Sequence, residues 1–430
     1  MRKFVKKLLI ALLGLTVILT VWVLANSVDA PEAEDADLMV ASFGLPDGEN
    51  AYAYLEKIEE KLKLEKNDSD VDKTRKLLRE GPKNFTVAKQ QLLDKNKQAL
   101  TAWRRTMDMN KLEFPRIDPY TYAPTVNYVP YVHIARLASL QAAYYLSQGD
   151  KTSALREALR IVDFGSFIQG GRKAYLMGYV IGQAIQTIGL HRIQAIIASV
   201  EITPLEGRRI IKRLEHQNAR NSAFSRVWKD EYDTQLQLIE NMLAANPVAG
   251  DTFLVSIQRM PYFLHPNRTR SIAAQEYRAL SQQAIRPCNE MQFSQEQYVP
   301  WYEWFRPNGT GRVAFAYLGS SNYESYFMRK CLVNFYFSAT QTLVGLKAHR
   351  SRNGTLPNTL NELVPVYLLY VPSDDFDARP IRYSKQRKWL YSVGSNYKDE
   401  GGKLSAVRTD LRCSGDQPDC LLEPTVPIPF

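Results

Sequence analysis

The first 25 residues constrain this chain more than any other segment. Arg2, Lys3, Lys6 and Lys7 precede an uncharged run of 18 residues, Leu8 to Ala25, and the next charged side chains, Asp29, Glu32, Glu34, Asp35 and Asp37, are all acidic. Basic residues before an apolar run and acidic residues after it mark either an export signal or a single span with its N-terminus inside. The run exceeds the 7–15 residues of a usual signal core, and as a helix it covers about 27 Å, close to the hydrocarbon thickness of a bilayer. An uncleaved anchor is therefore the favoured expectation; Val23-Leu24-Ala25 keeps a cleaved signal open. No Cys follows the run, so a lipoprotein is not expected. The address that results is an inner-membrane protein with one N-terminal span and the bulk of the chain in the periplasm.

Cysteine usage fits an oxidising compartment. The four residues are Cys288, Cys331, Cys413 and Cys420, all beyond the apolar run and without a CxxC pair. Cys413 and Cys420 enclose a short Gly- and Pro-containing loop and are paired with each other, which leaves Cys288 with Cys331; buried free thiols are the alternative.

The 430 residues are 45% apolar, enough for a sizeable core and more than one domain. Residues 26–48, with Pro31, Pro46 and the acidic cluster, read as a linker. A helical domain over 49–345 follows. Leu55, Ile58 and Leu62 recur at helical spacing, a second helix runs from about Val71 to Glu80, and a third from Thr86 to Met107 places Leu93, Leu100, Trp103 and Met107 on one face. Prolines 115, 119, 124 and 130 make the stretch from Phe114 to Pro130 an extended crossing. Two helices around Gly149-Asp150 form a single αα-hairpin. Ala174, Gly178, Gly182 and Gly189 lay a small-residue stripe along the next helix, where a neighbour can approach closely. Thr203-Pro204-Leu205-Glu206 is a capping box with Pro at the first helical position. Residues 298–305 are intensely aromatic, a pattern that fills a core or a lid or stacks sugars. The last long helix, Asn322 to Arg350, is apolar on most of its circumference and belongs in the core. The fold class expected is thus mainly α, an irregular multi-helix body with αα-hairpins. A small α+β module closes the chain over 346–430, containing a β-hairpin around Lys385-Gln386-Arg387.

Chemistry is sparse. No metalloprotease, nucleophile-elbow, P-loop or dinucleotide fingerprint is present, and His133, His191, His216, His265 and His349 lack metal-ligand spacing. The formal charge of +10 comes without a run of five basic residues, so it reads as a solvated surface, and nucleic acid is not an expected partner. Asp230, Glu231 and Asp233 beside Trp228 are the one acidic group suggestive of glycoside hydrolysis. A solvated helix face, with Arg226 and Lys229 compensating, is the preferred reading of them.

One stretch resembles a known family. Arg352-Asn353-Gly354-Thr355-Leu356-Pro357, Leu363-Val364-Pro365, Val371-Pro372, Asp375-Phe376, Pro380-Ile381-Arg382-Tyr383, Tyr391-Ser392-Val393-Gly394 and Asp399-Glu400-Gly401-Gly402 are similar to the C-terminal part of type II secretion major pseudopilins. They are still more like membrane-anchored helical bacterial proteins that end in such a module, over about residues 345–410. The resemblance implies a calcium-binding loop with Asn396, Asp399, Glu400 and Asp410 as oxygen ligands, suited to a hard cation. Asn396 stands where an Asp is usual. The N-terminus lacks the Gly-Phe-Thr-x-x-Glu processing signature, so the module is expected as a folded cap and not as part of a pilus. The function expected is a membrane-anchored extracytoplasmic binding or scaffold protein of the bacterial envelope, touching the membrane through residues 8–25 and another envelope protein or a cell-wall polymer beyond it. The alternative is a periplasmic hydrolase of envelope glycan or peptide.

Overall fold

The computed structural model describes residues 2–46, 48–63, 85–116, 126–219, 223–244, 260–292, 299–319, 323–402 and 425–430. The helix expected over Val71–Glu80, residues 117–125 of the Pro-rich crossing, Asp410, Cys413 and Cys420 lie outside the described residues. Within them the chain is mainly α-helical with one small antiparallel sheet, as the periodicities predict.

Helix α1 (Arg2–Ala25) is exposed along its length. Its few polar side chains turn inward on its own backbone. Thr16 and Thr20 donate to the carbonyls of Leu12 and Thr16, and Asn26 and Ser27 to those of Trp22 and Val23. These bonds leave the hydroxyls of the run paired with its own backbone.

The segment expected as a linker does not trail free. Asp29 accepts from the backbone N–H groups of Asn267 at 2.8 Å and Arg268 at 3.2 Å. It thus caps helix α10 (Pro266–Gln283), whose own N-cap residue, His265, makes no side-chain cap. Asp35 receives Arg270 at 2.6 and 3.0 Å and the Tyr232 hydroxyl. Asp37 receives Arg278 at 2.6 and 2.9 Å, and Leu38 is buried. The acidic residues that suggested a solvated tether are complementary to the arginines of α10, and that complementarity docks the strap.

The body is built on helices α2 (Tyr52–Lys61), α3 (Val87–Lys95), α4 (Lys97–Thr106), α5 (Val129–Ser147), α6 (Lys151–Gly170), α7 (Tyr175–Ser199), α8 (Pro204–Ala219), α9 (Ala223–Ala244), α10, α11 (Gly309–Gly319) and α12 (Tyr323–Asn353). The αα-hairpin is α5 and α6: Gly149 turns the chain at φ +78° and Asp150 caps α6 by accepting from the Ser153 N–H at 2.9 Å. The capping box of α8 is present as Thr203 and Glu206. The stripe on α7 meets α6. A Cβ on Gly165 would sit 2.5 Å from the Gly182 carbonyl oxygen, and one on Gly182 would sit 2.6 Å from that of Gly165. At that closeness the two helices exchange a buried amide bond, Gln169 Nε2 to Gln186 Oε1 at 2.9 Å, and Gln186 donates to Ser166.

Helix α12 carries buried side chains almost all round, from Phe327 to His349. Its C-terminal half joins α6, α7 and α8 in one apolar cluster, to which the end of the chain adds Leu360, Leu363, Leu390, Val426 and Ile428. The C-terminal region therefore shares its core with the helices. The expected hairpin is β1 (Arg382–Ser384) with β2 (Trp389–Tyr391), in antiparallel register Tyr383 to Leu390. The Pro-rich tail supplies a third strand, β3 (Thr425–Pro427), against β2. Cys288 and Cys331 form a disulfide between a 3₁₀ turn after α10 and α12, packed beside Phe376 and Val393.

The glycine contact generates a stability prediction. Gly182→Ala inserts a methyl where two backbones touch and should lower the unfolding free energy by about 1–3 kcal/mol in denaturant titration of the detergent-solubilised protein. Gly170→Ala, at a position with open space around the added carbon, should change it by less than about 0.5 kcal/mol.

Candidate functional site

The acidic group of α9 is split by the packing around it. Asp233 is partly exposed and takes a bidentate pair from Arg116, at 2.7 and 3.2 Å. Asp230 is 1% exposed, with the Arg226 Nε 3.9 Å away. The distal Nη2 of Arg226 is occupied elsewhere, donating to the carbonyls of Gln169 at 3.1 Å and Gly171 at 3.0 Å, so Arg226 clamps the turn between α6 and α7. Glu231 accepts from the Leu176 N–H at 2.6 Å and so caps the first turn of α7, where Ala174 offers no side-chain acceptor. The solvated face expected of these residues is not present at Asp230, which is buried, while Glu231 and Asp233 are partly exposed. Asp230 lies against the turn that precedes α7, near Lys173 and Arg172, and is covered there.

The turn against which these acids rest is strained: Lys173 and Tyr175 hold φ +54° and +52° without being glycine. It is pinned from several sides. Lys173 pairs with Glu113 at 2.7 Å, and Arg172 lies 3.9 Å over the Phe43 ring of the strap. The Arg172 N–H donates to the Leu112 carbonyl and its own carbonyl accepts from the Phe114 N–H. Aromatic side chains make the floor. Trp228 stacks on Phe327 at 5.3 Å, Tyr179 on Phe224 at 4.4 Å, and the hydroxyls of Tyr277 and Tyr323 lie 3.1 Å apart.

Burial pushes the Asp230 carboxyl up to about 7 against the opposing pull of Arg226, and pushes Glu231 up to about 7 against its backbone hydrogen bond. Two acids poised near neutrality are the raw material of proton transfer. Asp230 is buried, however, and a groove among the described residues lies elsewhere. It measures about 750 Å³, between Glu32–Asp37 of the strap and Ser271, Ala274, Gln275 and Arg278 of α10. Burial pushes Asp35 up, but its bonds to Arg270 and Tyr232 outweigh that and hold it below the usual carboxylate range. The groove is therefore lined with satisfied ion pairs.

The loop expected to hold calcium is organised by an arginine. Arg382 donates to Asp374 at 3.0 Å and to Asp377 at 2.5 and 3.0 Å, and lies 3.6 Å from Asp399. Asp399 Oδ1 accepts from the Gly401 N–H and Asn396 Oδ1 from the Lys398 N–H. Glu400 is on the surface, and Asp410 lies outside the described residues. Asn396 and Asp399 thus each accept a backbone N–H of their own turn, which holds the loop in place. Among the described residues no group of three or more His, Cys, Asp or Glu side chains is placed to hold a metal. Asp374 is the centre of this region. Fully buried, it also accepts from the Ser392 hydroxyl and the Val393 N–H, and ties the hairpin to the preceding turn.

Sequence reasoning overlooked the clamp of Arg226, the turn at 172–175 and the hub at Arg382. The signals were a helix break at Gly170-Gly171 followed at once by two basic residues, and an arginine amid Asp374, Asp377 and Asp399. Compared with protein-family models, curated protein sequences and solved structures, the chain has no match.

Two predictions follow from these geometries. The unfolded chain ionises Asp230 and Glu231 near pH 4, whereas the folded protein keeps them protonated to about pH 7, so stability falls as pH rises through that window and the penalty is fully present above it. Thermal unfolding of an Asp230→Asn, Glu231→Gln variant between pH 4 and 8 should show a shallower decline than wild type; an unchanged slope would exclude buried, protonated acids. Separately, Arg382→Ala leaves Asp374 buried without its cation and should cost about 3 kcal/mol, with Arg382→Lys intermediate because the fork of donors is lost.

Proposed function

We propose that this chain is a membrane-anchored, extracytoplasmic binding or scaffold protein of a bacterial envelope, held in the inner membrane by residues 8–25 with its bulk in the periplasm. The observation that carries this reading is the contrast between α1 and the rest. An exposed apolar helix with internally satisfied polar groups, basic before and acidic after, leads into a body cross-linked by Cys288 and Cys331. Its partner in this reading is another envelope protein or a cell-wall polymer, and the C-terminal region is a pseudopilin-like cap.

A second reading, hydrolysis of envelope glycan or peptide, is favoured by one observation, the raised carboxyls of Asp230 and Glu231. The burial of Asp230 away from the described groove weighs against it. Turnover of purified peptidoglycan by the full-length protein, lost in the Asp230→Asn, Glu231→Gln variant, would transfer the assignment to hydrolase.

The topology is tested directly. Alkaline phosphatase fused at the C-terminus should be active, and added protease should degrade the body in spheroplasts. Thiol labelling of denatured, unreduced protein should miss Cys288 and Cys331. A protected, cytoplasmic C-terminus with both thiols reactive would overturn the assignment.

A further inference from the structure

The aromatic stretch that the sequence suggested for a core or lid is on the outside. Trp301–Phe305 is a 3₁₀ turn with no buried residue, and Trp301, Tyr302 and Phe305 are 72%, 52% and 64% exposed. It is nonetheless a braced element. Glu303 receives both Arg306 at 2.7 Å and Arg312 at 3.0 Å. Behind it Asn308 turns the chain at φ +58°, donates its N–H to the Tyr262 carbonyl and accepts on its side chain from the His265 N–H and the Thr269 hydroxyl. Gly309 fits because a Cβ there would lie 2.5 Å from the carbonyl oxygens of Glu303 and Trp304. Three large aromatics held rigidly in water make an interaction surface.

Its position says what covers it. Tyr262 donates its hydroxyl to the Phe305 carbonyl at 3.2 Å, and the same ring packs at 5.5 Å against Trp22, at the distal end of the apolar run of α1. A Trp at the end of a span marks the level of the lipid headgroups, where amphipathic rings concentrate. One residue, Tyr262, therefore connects that level to the 301–305 turn. We infer that Trp301, Tyr302 and Phe305 insert into the headgroup region of the bilayer that holds α1, giving the body a second, interfacial contact with the membrane. The partner is the lipid surface itself. Membrane contact at two places, the span and the aromatic turn, sets the body's tilt as well as its distance from the bilayer.

The inference rests on α1 being a membrane span, and the test separates the two. Full-length protein is reconstituted into phosphatidylcholine vesicles with and without bromines on the upper acyl chain, and tryptophan emission is compared for wild type, Trp22→Phe and Trp301→Phe. Trp103 and Trp228 are fully buried and serve as an internal unquenched reference for intact folding. Both variants should lose a share of the quenching, the share lost in Trp301→Phe being the emission of the 301–305 turn at the bilayer surface. Loss of quenching in Trp22→Phe with none in Trp301→Phe would overturn the interfacial contact and leave the anchor standing. No loss in either variant, with protein that fails to float with vesicles, would overturn both.

Discussion

Everything in the body is arranged around the close approach of α6 and α7. Two backbones separated by little more than the absence of two Cβ atoms, at Gly165 and Gly182, form a slab with a buried amide pair at its centre. Gln169 and Gln186 satisfy each other there, which makes their burial tolerable and fixes the register of the two helices. Helix α5 packs on one part of that slab, α9 and α12 on others. Each inherits its position from a contact that larger side chains would forbid.

Charge does comparable work at the periphery of the slab. The strained turn at 172–175 is approached from two segments, by Glu113 on one side and by Arg226, Asp230 and Glu231 of α9 on the other, which supply hydrogen bonds and ion pairs around it. The C-terminal hub repeats the scheme with one cation, Arg382, among three carboxylates. At Asp230, Glu231 and Asp374 burial outweighs the nearby donors and cations and raises the carboxyls, whereas at Asp377 the bonds from Arg382 outweigh burial and hold the carboxyl low.

How much of this was legible in the sequence varies with the range of the cause. Local chemistry read well: the αα-hairpin at Gly149-Asp150, the capping box at Thr203, the small-residue stripe of α7 and the β-hairpin after Arg382 all depend on neighbours a few residues apart. Partners far apart in sequence did not. Nothing near Asp35 announces Arg270, more than two hundred residues on, so the acidic cluster read as a tether; nothing near Asp230 announces that the turn at 172–173 covers it. The aromatic turn at 301–305 has the composition of a core segment, and only the bracing by Asn308 and Glu303 turns its rings outward.

The docked strap changes the mechanics of attachment. A free flexible segment of twenty residues would let a body wander about 25 Å from its tether point. Here Asp29, Asp35 and Asp37 fasten that length to α10 and α9, leaving almost no slack beyond Ala25. In the anchored reading proposed above, a body without a leash would sample a thin layer parallel to the lipid, and a partner moving in the same plane would meet it at a local concentration that an untethered domain of equal affinity could not reach.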